Sequence, residues 1–116
     1  MLKKEFRLRK QKDFDRVFSK EGSFFSQGFL ALKIVPNNLT FSRFGFIVSN
    51  KISKKAVKRN RIKRLIRESV RLMRDQINPG FDIAIIARAD ISEKKFEEVD
   101  SAVDSLLKKS GLVIRK

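Results

Sequence analysis

The chain of 116 residues contains no cysteine, histidine, tryptophan or tyrosine. Without cysteine and histidine there is no zinc-finger ligand set, disulfide framework or thiol nucleophile. A serine–histidine–aspartate triad and a histidine acid–base pair are equally excluded. Repeats, linkers and low-complexity tracts are also missing. The amino-terminal stretch MLKKEFRLRKQKDF has no apolar run of signal-peptide length, and no segment approaches a membrane span. Acidic residues are few: 13 Asp+Glu stand against 28 Lys+Arg, for a formal charge of +15. Leu, Ile, Val and Phe nevertheless make up about a third of the chain, well above the disorder range. These features predict a single domain over residues 1–116, cytoplasmic, binding a polyanion rather than a membrane or a small-molecule substrate.

The positive charge is unevenly distributed. Residues 1–20 hold eight cations and three acids, residues 51–74 hold eleven cations and one acid, Glu68, and the remainder is neutral. A surface made basic for solubility would spread the excess. Two hot segments favour a nucleic acid partner.

Phe14, Val17 and Phe18 fall on one helical face, which predicts a short helix over 12–20. Residues 23–35 read as one strand with a bend or bulge at Gly28, and Pro36-Asn37-Asn38 as a turn. Residues 40–49 then form the antiparallel return strand. A long helix enters at Ser53 as N-cap and ends at Asn78-Pro79-Gly80. FDIAIIA at 81–87 suits a buried central strand. Residues 92–109 form a closing helix, capped by Ser92 and ended by Gly111. This order implies a mixed sheet with helices packed on it, an α+β fold of the α/β sandwich type.

At about 100° per residue, Ile62, Ile66, Ser69, Val70, Met73 and Ile77 of the long helix share one stripe. Asn60, Arg64, Arg67, Arg71 and Arg74 lie opposite. Like charges at these spacings repel, so a helix built this way is best accounted for by an anionic partner. Guanidinium forks match phosphate oxygens, and the helix amino-terminus near Ser53, Lys54 and Lys55 adds free backbone donors. A DNA-reading helix-turn-helix requires a preceding short helix and tight turn. Here a strand precedes the basic helix, which favours RNA.

Residues 49–68, SNKISKKAVKRNRIKRLIRE, resemble the arginine-rich helix of the bacterial ribonuclease P protein component, centred on Arg59-Asn60-Arg61. FRLRKQKDFDRVF resembles that family's first helix, and FDIAIIAR its later strand, so nearly the whole chain is covered. The resemblance implies the order αβββαβα with a left-handed βαβ crossover, against the general rule of hand. It implies that the protein is the non-catalytic subunit of a ribonucleoprotein endoribonuclease. An RNA subunit would hold the Mg²⁺ and cleave precursor tRNA, while the protein binds that RNA subunit and the single-stranded 5′ leader.

By the same resemblance, Phe14 and Phe18 match positions lining the leader cleft, and Leu30 and Leu32 match cleft-facing strand positions. Arg59 and Asn60 match its edge, and Lys51, after Ser49, a basic position before the helix. Lys58, Arg61, Lys63, Arg64, Arg67 and Arg71 fall on the RNA-approaching helix. Phe14 and Phe18 have a second reading, as packing of the first helix on the sheet. Two departures stand out: Leu32 replaces a common aromatic, and Asn50 a common cation. Asp13, Asp15, Glu97, Glu98 and Asp100 read as solvated helix faces rather than metal ligands. A ribosomal or ribosome-assembly protein is the alternative with the same kind of basic domain, and a self-sufficient metal-dependent nuclease is a third.

Overall fold

The computed structural model describes residues 3–113. Its elements run α1 (Gln11–Val17), β1 (Ser23–Gln27), β2 (Leu30–Pro36), β3 (Arg43–Ile47), α2 (Ala56–Met73), β4 (Phe81–Ala87) and α3 (Phe96–Lys109), with 3₁₀ turns at Lys4–Phe6 and Arg74–Gln76. The four strands form one mixed sheet in the order β1-β2-β4-β3. The expected order of helices and strands is therefore present, and β4 is central as its apolar run predicts.

Two strand expectations are corrected. Residues 23–35 are two antiparallel strands, because Gly28 adopts φ 59° in a two-residue loop that pairs Gln27 with Leu30. A glycine in the first position of such a loop reverses the chain. Residues 43–47 do not return along β2. They pair parallel with β4, which lies between β2 and β3. β4 can take the central place because its residues pack on both faces: Ile83 and Ile85 toward one cluster, Ala84 toward the other.

The sheet separates two cores. On one face Leu30, Leu32, Phe44, Ile83 and Ile85 pack with Ile62, Ile66 and Val70 of α2 and with Val99, Val103, Leu106 and Leu107 of α3. The other face carries a smaller cluster, Leu8, Val17, Val35 and Ala84, flanked by Phe14 and Ile47. Here α1 packs across β2 and β4. Gly45 is required for this approach, since a Cβ there would lie 2.5 Å from Cε1 of Phe14.

Helix boundaries differ from expectation at the caps. The N-cap of α2 is Lys55 rather than Ser53. The Ser53 hydroxyl does accept the Lys55 N–H at 3.3 Å, and its carbonyl accepts from Arg59 at 2.9 Å, so Ser53 closes the turn before the helix. α3 starts at Phe96, and Ser92 is committed to Asp90, which accepts both its N–H and its hydroxyl. α1 ends at Val17, earlier than expected. α3 does end at Gly111, with Leu112 N–H bonding back to Leu107 as in a Schellman closure.

The free edge of β3 is covered by the amino-terminal segment. Arg7 bridges Phe44 in parallel, Leu8 N–H donates to the Phe44 carbonyl at 2.8 Å, and the Phe6 ring meets Phe41 edge-on at 5.4 Å. Covering an edge in this way removes a template for aggregation.

The smaller core is tied down by a buried carboxylate. Asp82 on β4 is fully buried and accepts from Arg43 Nε at 2.8 Å and Nη2 at 2.7 Å, from Arg16 Nη2 at 2.7 Å and from Asn37 Nδ2 at 3.0 Å. Burial alone would raise its pKa. The hydrogen bonds from Arg43 and Asn37, the Arg43 charge and the Arg16 bond outweigh burial and hold it below the usual carboxylate value. Asp82→Ala should cost about 3–5 kcal/mol in urea unfolding, because it strands two guanidinium groups. With a depressed native pKa, the Asp82 contribution is complete above an unfolded value of about 3.9 and is lost as pH falls through the native value. The gap in unfolding midpoint between wild type and Asp82→Asn should therefore be constant near neutral pH and narrow only below about pH 4.

Candidate nucleic-acid interface

The stripe of Ile62, Ile66, Ser69, Val70 and Met73 is buried as expected. Seating that stripe turns the cations outward, but the structure divides them into two kinds. Arg61 donates from Nε to the Ser92 carbonyl at 2.6 Å, and Arg59 to that of Ser53, so both tie the helix to neighbouring loops. Arg71 forms a two-pronged pair with Glu68 at 3.0 and 2.5 Å, which raises the pKa of Arg71 and lowers that of Glu68. Arg74 lies over the Phe6 ring at 4.3 Å. Asn60 and Arg64 are exposed, while Lys58 and Lys63 are half-buried.

Arg67 is the strained member. Its guanidinium sits 5.7 Å from the Phe46 ring, and its buried Nε has no hydrogen-bond partner among the described residues. Burial first, then the charges of Arg7 and Arg64, lower its pKa. Arginine stays charged even so, and an arriving phosphate would relieve the repulsion. Among the described residues, no side chain caps the amino-terminus of α2, so its first-turn N–H groups and the exposed Lys54 and Lys55 remain available.

On the opposite face of the sheet α1 packs across β2 and β4. Side chains alternate across a strand, so Phe24, Lys33, Ala84 and Gly45 form one cross-strand row on the α1 side. Ser26, Ala31, Ile86 and Ile47 form the next. Phe14 lies half-buried over Gly45, and Phe18, at the end of α1, remains 41% exposed with the Lys33 ammonium 5.9 Å from its ring. Phe14 therefore packs α1 on the sheet, the second reading given for it, while Phe18 stays exposed at the helix end. The exposed residues Ser49 and Lys51 follow the end of β3, beside the end of β4.

Leu30 and Leu32, expected to face the leader cleft, do not lie on this side of the sheet. Both are fully buried in the opposite core, against the helix-packed face. Their intervening and following residues, Ala31 and Lys33, lie on the α1 side. Period-two alternation from the two leucines was the signal that identifies Lys33. Phe24, likewise absent from the expected site, alternates with the core residue Phe25.

The acidic residues do not converge. Asp13 and Asp15 lie on α1, whereas Glu97, Glu98 and Asp100 lie on α3 across the sheet. Asp15 accepts from Gln11, Asp100 accepts from Ser69 at 2.6 Å, and Glu98 pairs with Lys94. Among the described residues no three Asp or Glu side chains gather where they could share a metal ion. This donor set does not fit a catalytic magnesium site.

A protein-family model described as Ribonuclease P matches residues 2–111. The chain is 38% identical, over its whole length and 98% of the relative, to the ribonuclease P protein component of Caldanaerobacter subterraneus subsp. tengcongensis. It is 41% identical to that of Clostridium botulinum, covering 94% of this chain and 97% of the relative. The RNase P protein of Staphylococcus aureus superposes with a TM-score of 0.82 at 29% identity, over 93% and 97% of the two chains. That of Thermotoga maritima superposes at 0.79 with 36% identity, over 89% and 96%. These likenesses support the ribonuclease P reading and not the ribosomal alternative.

The two kinds of arginine should separate experimentally. Arg64→Ala should leave the urea midpoint unchanged, weaken RNA binding and reduce the salt slope of log K by about 1. Arg67→Ala should do the same to RNA binding but also lose stability on the order of 1 kcal/mol through its contact with Phe46. Binding measured across a potassium chloride series checks the first, and a flat salt response would contradict the interface.

Proposed function

This chain belongs to the bacterial ribonuclease P protein family, and from that premise we propose how it divides the work with its RNA. The chain is the protein component of a tRNA-processing ribonuclease. It binds the RNA subunit through the arginine face and amino-terminus of α2, and the 5′ leader of precursor tRNA along a groove on the sheet face beside α1, bordered by Phe18 and Lys33. The RNA subunit performs the hydrolysis. Mg²⁺ held by that RNA would activate water for attack on the phosphodiester, leaving a 5′-phosphate on the mature tRNA. The work takes place in the cytoplasm, on precursor tRNA as substrate.

The observation that carries this reading is that the arginine-bearing helix α2 and the Phe18–Lys33 pair lie on opposite sides of one sheet. The groove combines an exposed aromatic ring with an ammonium group, the pairing that lets bases stack while phosphates are neutralised. Its polar groups include no histidine or cysteine, and the acids of α1 are spoken for: Asp13 faces Arg43 at 3.4 Å and Asp15 accepts from Gln11. The chain's own residues therefore bind and orient. Arg64 and Lys63 supply positive charge along α2, and Lys51 does so at the loop before it.

Reconstitution with the RNA subunit at low Mg²⁺ tests the division of labour. The protein should restore 5′ maturation and tighten precursor binding, and the protein alone should cleave nothing. Cleavage by purified protein without RNA would overturn the reading. Phe18→Ala should weaken precursor tRNA binding by about 5- to 150-fold, as expected for one lost stacking contact, and leave mature tRNA binding unchanged. Equal losses on both would assign Phe18 to folding alone.

A further inference from the structure

We propose that Phe24, on the edge strand β1, is a stacking platform for an unpaired nucleobase, extending the single-strand groove across β2 to the rim of the sheet. This rests on the groove's being the leader site, and adds to it a residue on a strand that the reading above does not use.

Phe24 is 56% exposed, more than any other phenylalanine among the described residues, including Phe18. Its neighbour Phe25 packs into the helix-side core, so the strand gives one ring to folding and turns the other to solvent on the α1 side. The register places Phe24 directly opposite Lys33. Cross-strand partners hold their Cβ atoms about 4.5–5.5 Å apart. Lys33 in turn reaches toward α1, with its ammonium 5.9 Å from the Phe18 ring and 3.4 Å from the Ser19 carbonyl. Lys33 thus stands between the two rings, paired across the strands with Phe24 and reaching to Phe18 on α1. The cross-strand row continues through Ala84 to Gly45, beneath Phe14. From Phe24 to Gly45 it crosses three strand spacings, roughly 14 Å.

An exposed phenylalanine on an edge strand is a liability, because such edges invite pairing with other chains. It contributes nothing to either core. Its surroundings on β1 are polar (Ser23, Ser26 and Gln27), and the group beside it is a cation. An apolar protein partner would have to desolvate Lys33, whereas a nucleotide uses both: any base can stack on the ring, and its phosphate meets the ammonium. Charge complementarity therefore selects single-stranded RNA. The path runs across the strands, from α1 toward β1, and a base on Phe24 is the contact nearest the rim.

The test uses the holoenzyme assembled with its RNA subunit. Phe24→Leu keeps size and hydrophobicity but removes the π face, and Phe24→Trp restores one. Precursor tRNA should bind Phe24→Leu about 5- to 150-fold more weakly than wild type. Phe24→Trp should recover the loss, and mature tRNA should bind all three alike. Single abasic substitutions along the leader should then locate one nucleotide whose base, once removed, makes wild type and Phe24→Leu equal. If shortening the leader weakens wild-type binding but Phe24→Leu binds precursor as wild type does, the groove stands and the platform is overturned. If shortening the leader changes nothing, the groove reading fails and the platform fails with it. If Phe24→Leu alters only self-association in sedimentation, the ring is a contact between copies of the chain, which also overturns the proposal.

Discussion

The buried carboxylate of Asp82 is the constraint on which the groove-side geometry depends. It gathers Arg16 from α1, Arg43 from β3 and Asn37 from the turn after β2 onto the central strand. Without those bonds α1 would be held to the sheet chiefly by Val17, Phe14 and the few apolar side chains around them. A helix of seven residues has little intrinsic stability of its own. Ionic bonds of fixed direction place it where packing alone would not. Phe18 takes its position from this anchoring. With Asp13 also facing Arg43, two arginines meet two carboxylates and the cluster is balanced in charge.

On the other side of the sheet, the same residue type does two jobs. Arg61 and Arg59 spend hydrogen bonds on the carbonyls of Ser92 and Ser53, and Arg71 is occupied by Glu68. These contacts fix the loops at either side of the α2 amino-terminus and so hold its free N–H groups in place. Arg64 projects, and Arg67 is held over Phe46 with one donor unsatisfied. A helix with this charge density is destabilised until a polyanion arrives. The fold tolerates it because the buried stripe from Ile62 to Met73 supplies the compensating apolar contacts.

Much of this was legible in the residues. Period 3.6 located the α2 core stripe and its arginine face, and the continuous apolar run FDIAIIA marked a central strand. Pairing was not legible, because it is non-local: nothing near Arg43–Ile47 reveals that its partner lies beyond an 18-residue helix. Gly28 was visible but ambiguous, since a bulge and a two-residue hairpin loop use the same positive φ. The misplacement of Leu30 and Leu32 came from carrying a groove position onto the wrong phase of β2, where one residue of shift exchanges the two faces. Asp82 carried its own signal. A lone acid inside a strand otherwise apolar is either a break in the strand or a buried ion pair, and the alternation of Ile83 and Ile85 against it indicates the second.

In the proposed division of work, a protein that leaves the chemistry to RNA would still discriminate substrate from product. Contacts made equally with both would bind precursor and mature tRNA alike and slow release of the product. A groove that touches only the leader differs, because cleavage separates that segment from the tRNA. The interaction energy it supplies is present before the reaction and absent from the mature tRNA afterwards. With the proposed leader site on the face opposite the arginine helix, one small sheet would hold two RNAs at once. The second contact then forms at the high effective concentration set by the first. The sheet itself would then be the rigid spacer, and Asp82, which pins α1 to its central strand, would govern how well the two sites act together.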